Sequence, residues 1–251
     1  MEQKHRIRKS GAEIIVALLE RQGIEVIAGI PGGCNLPLYD ALRDSPIRHI
    51  LTRHEQGAGF IAQGMARSTG RAAVCFATSG PGATNLLTAI ADAKLDSVPV
   101  VAITGQVPTA MIGTDAFQEV DIYGMTLPIT KHNFLVRSAS ELFEVIPKAF
   151  EIAQSGRPGP VVIDVPKDVQ NQHVEFDKWP EPWQPAPAAP CVSPDIERLA
   201  VMIHTAVRPI LYIGGGIIMS EATQDLMAFA RKNSIPVACT LTGLGAFPPD
   251  D

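Results

Sequence analysis

Ala72-Ala73-Val74-Cys75-Phe76-Ala77-Thr78-Ser79-Gly80-Pro81-Gly82-Ala83-Thr84-Asn85 is the stretch on which the fold turns. Its first six residues are small or apolar, too few for a helix and bounded by turn residues, so they read as a buried strand. Gly80, Pro81 and Gly82 then permit a tight turn and a close backbone approach to a flat ligand, and a helical pattern follows over 83–93. The same order recurs on either side. Short apolar runs at 25–28, 99–103 and 160–165 read as strands, and helical patterns at 36–43, 55–67 and 141–154 alternate with them. Strands alternating with helices imply parallel strands covered on both faces, hence an α/β fold with a doubly wound parallel sheet. A further helix opens the series. Ser10-Gly11-Ala12-Glu13 reads as a capping box, and Ile14, Ile15, Leu18 and Leu19 form an apolar stripe that stops at Gly23.

Composition narrows the function. Of the 251 residues 46% are hydrophobic and 19% charged, enough apolar material for a core and too little charge for a disordered chain. A net charge of -5 with no basic stripe excludes the electrostatic footprint of a nucleic-acid binder. Cys34, Cys75, Cys191 and Cys239 form no Cys-x-x-Cys pair, which argues against a zinc site or a disulfide framework and for a reducing, cytoplasmic setting. No apolar run approaches the roughly 20 residues of a membrane span.

The chain organises as a basic tail (1–9), a first α/β domain (10–171), a linker (172–192) rich in proline, and the start of a second α/β domain (193–251). The second domain should hold a helix at 194–205, a strand at 209–213, the turn Gly214-Gly215-Gly216, a helix at 221–233 and a strand at 235–239. So few elements leave strand faces uncovered, so this domain is expected to be incomplete.

Ligands of doubly wound sheets gather at the carboxyl ends of the strands, where Gly29-Ile30-Pro31-Gly32-Gly33, the 78–85 turn and the 105–121 segment can meet. A lone carboxylate, Glu55, stands in Arg53-His54-Glu55-Gln56-Gly57-Ala58-Gly59 at the start of a small-residue helix. The helix dipole alone accounts for a carboxylate there, at about 0.3–1 kcal/mol. With Gly113-Thr114-Asp115-Ala116-Phe117-Gln118-Glu119-Val120-Asp121, these segments in this order resemble the pyrimidine-binding domain of thiamine-diphosphate enzymes. The resemblance is closest to the catalytic subunits of the acetolactate synthase (acetohydroxyacid synthase) family and runs from about Ser10 to the end of the chain.

The resemblance implies a carboligase that decarboxylates pyruvate to a thiamine-bound hydroxyethyl carbanion. It then joins that carbanion to a second 2-keto acid, pyruvate or 2-oxobutanoate, in the synthesis of isoleucine and valine. Glu55 becomes the carboxylic acid that hydrogen-bonds the aminopyrimidine of thiamine diphosphate, and burial would raise its pKa for that task. Pro31, Pro81 and Asn85 line the aminopyrimidine pocket, with Gln118 beside them. Gly33, Phe117, Gln118 and Lys167 belong to the substrate end, and Cys34 stands where the family commonly has a small residue such as alanine. A flavin, FAD, is implied at Arg157, at Gly214, Gly215 and Gly216, and at Thr240 and Leu241. Magnesium is implied too, but the Gly-Asp-Gly motif that holds it is not in this sequence, so the chain alone is expected to be inactive.

Family partners would be a second copy in a homodimer or homotetramer and a regulatory small subunit. The residues leave open a split enzyme with a partner chain, a pyruvate oxidase or sulfoacetaldehyde-processing relative, and a non-catalytic binding protein on the same fold.

Overall fold

The computed structural model describes residues 6–185 and 193–250, so residues 1–5 of the tail and the 186–192 part of the linker, Cys191 included, lie outside the described residues. Two compact units part after Pro185. In the first, β1 (Ile7–Ser10), α1 (Gly11–Arg21), β2 (Val26–Gly29), α2 (Leu36–Arg43), β3 (Arg48–Leu51), α3 (Glu55–Thr69) and β4 (Ala73–Ala77) follow in order. Then come α4 (Pro81–Asn85), α5 (Leu87–Leu95), β5 (Val100–Gln106), α6 (Ile122–Thr126), β6 (His132–Leu135), α7 (Leu142–Gln154), β7 (Val161–Pro166), α8 (Lys167–Asn171) and β8 (His173–Phe176). The second unit holds α9 (Ser193–Thr205), β9 (Leu211–Ile213), α10 (Gly216–Met219), α11 (Thr223–Asn233) and β10 (Val237–Cys239), with β9 and β10 parallel.

The central sheet has six parallel strands in the order β3-β2-β4-β5-β7-β6. From β2 the chain first turns to β3 on one side and then to β4 on the other, so a topological switch point falls between β2 and β4. Alternation along the strands separates two cores. Val74, Phe76, Val101, Ile103, Val161 and Ile163 face the large residues of α1 and α7, among them Ile15, Leu19, Ile146 and Phe150. Ala73, Cys75, Ala102 and Val162 face the alanine-rich helices α3 and α5 through Ala58, Ala62, Ala66, Ile90 and Ala93. Small residues let those helices come close: a Cβ on Gly59 would stand 2.6 Å from that of Ala89.

Two expected elements are organised differently. The helix read over 83–93 is two, α4 and α5, because the Leu86 amide reaches back only three residues to the Ala83 carbonyl and tightens the turn. Residues read as tail and linker form a ribbon instead, with β1 antiparallel to β8 in the register Ile7 to Phe176 and Ser10 to His173. Beyond β8, Trp179 and Trp183 pack against the first core. The capping box forms as read, the Ser10 hydroxyl accepting the Glu13 amide and the Glu13 carboxylate accepting that of Ser10.

One buried acid sits in the sheet itself. Asp164 of β7 is 1% exposed, and burial raises its carboxyl from the ordinary 3.8 to about 7 against the opposing pull of hydrogen bonds from Thr104 and Gln106; the charge on Asp121 adds to the rise. The neutral acid is therefore the form that folding favours. Its contribution is fully present below pH 3.8 and is lost as pH rises through about 7. In Asp164→Asn, which is neutral at every pH, that loss should be absent. Melting temperatures taken from about pH 4 to about pH 8 should thus show the parent falling steadily relative to the variant; parallel curves would contradict the assignment.

Candidate active site

The loops after β2 and β4 meet at the switch point. Asn35, fully buried, shapes the first: its Oδ1 accepts the Gly32 amide at 2.7 Å and its Nδ2 donates to the Ile30 carbonyl at 3.3 Å. Thr78 joins that loop to the second. A Cβ on Gly32 would lie 2.5 Å from the Thr78 methyl carbon and one on Gly82 would lie 2.7 Å from it, so a single methyl group fills the space between two bare backbones. The Thr78 hydroxyl accepts the Cys34 amide at 3.2 Å.

Glu55 enters from the β3 side as the first residue of α3. It is 8% exposed, buried but reachable, and its Oε2 accepts from Asn85 Nδ2 at 2.9 Å. Its Oε1 lies 3.3 Å from where a Gly82 side chain would begin, so that oxygen is left uncovered by the turn. His54 is the N-cap of α3: its Nδ1 accepts the Gln56 amide at 3.1 Å, which requires that nitrogen to be unprotonated. The histidine beside the carboxylate thus holds the helix start and does not point its acceptor at Glu55.

Gln118 reaches the same place through its backbone. Gly80 (φ 52°) can approach it only because it has no side chain, since a Cβ there would meet the Gln118 carbonyl oxygen at 2.5 Å. Gln118 itself is held in the left-handed region at φ 59°, a conformation that costs an ordinary residue roughly 1 kcal/mol or more. Phe117 beside it is 86% exposed. Pro31 and Pro81 are exposed at the lips of the two loops, and no atom lies within 4 Å of the position a Gly33 side chain would take. The structure therefore gathers Glu55, Asn85, Pro81, Pro31 and Gln118 at one strand-end cleft.

Lys167 and Arg157 stand elsewhere. Lys167 lines a groove of about 800 Å³ with Glu13, Tyr39, Asp40, Arg43 and His173, to which Glu55 contributes nothing. Tyr39 connects the two regions: burial pushes its hydroxyl well above the ordinary value, and the charges of Cys75 and Glu55 add to the rise. Arg157 precedes β7, at the amino-terminal edge of the sheet, where its Nε donates to the Ser97 hydroxyl at 2.7 Å and its Nη2 to the Leu95 carbonyl at 3.1 Å. It caps the carboxyl end of α5. The buried Cys75 thiol is pushed up to about 12 by burial and is chemically quiet.

In the second unit, Gly214–Gly216 follows β9 and 240–243 follows β10, and the two turns touch. A Cβ on Gly215 would stand 3.1 Å from Thr242, and one on Gly243 would stand 2.9 Å from the Ile213 carbonyl. Leu241 projects from that turn into the open.

Asn35 and Thr78 are the site residues that motif reading passed over. An Asn three residues after Gly32 and at the start of a helix is a local turn signal. The role of Thr78 depends on which strands are neighbours and leaves no local trace.

Comparison with known proteins gives the cleft a context. The family described as thiamine pyrophosphate enzyme, N-terminal TPP binding domain, matches residues 9–125, and the thiamine pyrophosphate enzyme central domain matches 196–251. The chain is 60% identical over 245 residues to the acetolactate synthase isozyme 1 large subunit of Escherichia coli (strain K12), an alignment covering 97% of this chain and 43% of that protein. It is 52% identical over 245 residues to the acetolactate synthase large subunit of Corynebacterium glutamicum, covering 96% and 39%. It is 50% identical over 247 residues to the probable acetolactate synthase large subunit of Methanocaldococcus jannaschii, covering 96% and 42%. The chain thus spans about two fifths of the length of these relatives.

Removing the cap with His54→Ala should destabilise the first unit by about 1 kcal/mol, whereas His54→Asn, which restores a side-chain acceptor, should stay within about 0.5 kcal/mol of the parent in denaturant unfolding. Equal losses in both would mean that the ring, and not its acceptor nitrogen, is what α3 needs.

Proposed function

Because the chain belongs to the thiamine pyrophosphate enzyme family, we propose that the Glu55 cleft receives the aminopyrimidine of thiamine diphosphate and that the protein acts as an acetolactate synthase. The observation that carries this reading is the half-covered carboxyl group: Asn85 fixes one oxygen, and the absence of a side chain on Gly82 leaves the other facing the cleft. A flat ring needs bare backbone on its flanks and a proton-sharing acid at its edge, and Gly32, Gly82 and Glu55 offer both. When bound, thiamine diphosphate supplies a carbon nucleophile able to accept the acyl group of a 2-keto acid as carbon dioxide departs. Glu55 holds or returns a proton at its uncovered oxygen, Asn85 keeps the carboxyl plane fixed, and Pro31 and Pro81 wall the cleft.

Pyruvate is the proposed donor, with a second pyruvate or 2-oxobutanoate as acceptor, in the branch leading to valine and isoleucine. The exposed Phe117 offers an apolar surface for a methyl group beside the amide of Gln118, with Gly33 proposed for the same substrate end; Lys167, which lines a separate groove, is proposed there on the family resemblance alone. The paired glycine turns of the second unit, with Thr240 and Leu241, offer a cradle for FAD. Among the described residues no group of three His, Cys, Asp or Glu could hold a metal ion. The exposed Phe117 and Leu51 favour assembly with a second copy, and relatives named large subunits favour a smaller regulatory partner. Among the described residues no helix is long and apolar enough to cross a membrane. The unpaired Cys34, Cys75 and Cys239 favour a cytoplasmic setting.

The test grafts this chain in place of the matching region of the 60% identical E. coli subunit and follows acetolactate formation from pyruvate. The graft should be active, and Glu55→Gln within it should lower turnover by about 10²- to 10⁴-fold. An active graft indifferent to Glu55→Gln would overturn the proposal.

A further inference from the structure

Three side chains that this chemistry does not use form a polar cluster inside the sheet. Thr104 and Gln106 are two residues apart on β5, and Thr104 pairs in register with Asp164 on β7, so all three point to the α3 and α5 face. Thr104 Oγ1 donates to Asp164 Oδ1 at 2.6 Å, and Gln106 Nε2 donates to Asp164 Oδ2 at 3.0 Å. The same amide nitrogen donates to the Val120 carbonyl at 3.0 Å, and Gln106 Oε1 accepts the Val107 amide at 2.8 Å. Gln106 is 2% exposed, and rotating its amide by half a turn would set oxygen against two acceptors, so this orientation is the one that satisfies every partner.

The positions of those partners matter. Val107 opens the segment between β5 and α6 and Val120 nearly closes it, so a single buried amide ties together the two ends of a long loop. Such loops owe their order to tertiary anchors. At the tip of this one, Met111 and Phe117 are exposed, and bonds such as Gly113 N to Glu119 Oε1 at 3.3 Å lie at the surface. Gln118 sits two residues before the tie, in its left-handed conformation against Gly80.

We infer that Asp164 and Gln106 are positioning residues that close the neck of the 107–121 loop and thereby set Gln118 at the cleft. Asp164 aims the amide and Gln106 makes the tie. The arrangement survives a change of charge on Asp164. As a carboxylate it accepts from both neighbours; as the neutral acid that burial favours, it donates to the Thr104 oxygen and still accepts from Gln106. Asp121, which raises the Asp164 carboxyl further, is itself engaged as the N-cap of α6 through the Gly124 amide. What Gln118 contacts there rests on the function proposed above, whereas the tie does not, so the two can fail separately.

The test is residue-resolved hydrogen exchange on the full 251-residue chain. Gln106→Met and Asp164→Val should speed exchange of the Glu119 and Ile122 amides, which are bonded to the Ala116 and Val120 carbonyls, by about tenfold or more. The Val74 and Ala102 amides in the sheet should keep the parent rate. Asp164→Asn, shaped like the neutral acid, should leave the loop at the parent rate, as should Thr104→Val, which spares Gln106. Loop amides unchanged in Gln106→Met would overturn the inference. So would loop and sheet accelerating by one common factor, or Asp164→Asn loosening the loop as much as Asp164→Val. If Asp164→Val does not fold, Gln106→Met against Asp164→Asn decides the matter.

Discussion

One methyl group wedged between two bare backbones holds the cleft in shape. Thr78 fills the gap that Gly32 and Gly82 leave, and through it the loop after β2 and the loop after β4 become one packed body. Neither loop has an apolar core of its own. Both depend on the sheet order, which makes β2 and β4 neighbours while sending the chain away from them in opposite directions. Glu55 arrives from the third direction, after β3, and finds a carboxyl-sized opening bounded by Gly82 and the Asn85 amide.

The sheet that enforces this meeting is dressed differently on its two sides. Large branched and aromatic residues cover one face, and alanines cover the other. Bulky side chains fill volume and tolerate helices at a distance, whereas alanine and glycine contacts bring α3 and α5 close to the strands and to each other. The helix that carries the acid is therefore on the close-packed side. Gln63 adds to this by donating to the Ala89 carbonyl at 2.6 Å within that interface. A carboxylate meant to keep one orientation benefits from such a foundation.

Much of this was readable in the residues alone. The buried strands β4, β5 and β7 declare themselves as short Val-, Ala- and Ile-rich runs, and the capping box at Ser10 and Glu13 marks α1 outright. The edge strands β3 and β6 do not. Arg-His-Ile-Leu and His-Asn-Phe-Leu are half exposed, carry polar residues, and become strands only because β2 and β7 offer them partners. The ribbon of β1 and β8 was hidden for the same reason, since its two halves are some 160 residues apart in sequence and each is mixed in polarity. The motifs single out Glu55, Pro81, Asn85 and Gln118, and the fold brings their segments together. The contributions of Thr78 and Gln106 were not legible, because each depends on which backbone the fold brings opposite, whereas Asn35 acts within its own turn and leaves a local signal there.

The ribbon gives the first unit an unusual mechanical character. Its incoming and outgoing strands run antiparallel, with Ile7 opposite Phe176 at the outer end and Ser10 opposite His173 at the inner end. Tension applied ahead of β1 therefore pulls on the pair Ile7 and Phe176 and opens the ribbon one rung at a time, whereas tension from the outgoing side falls first on Trp179 and Trp183, which pack against the first core. The ribbon's inner end lies among the strand-end loops, where Ser10 and His173 share a groove with Leu36 and Lys167 and Gln170 donates to the Cys34 carbonyl at 2.7 Å, so an unzipping that runs to the last rung arrives beside the loop after β2.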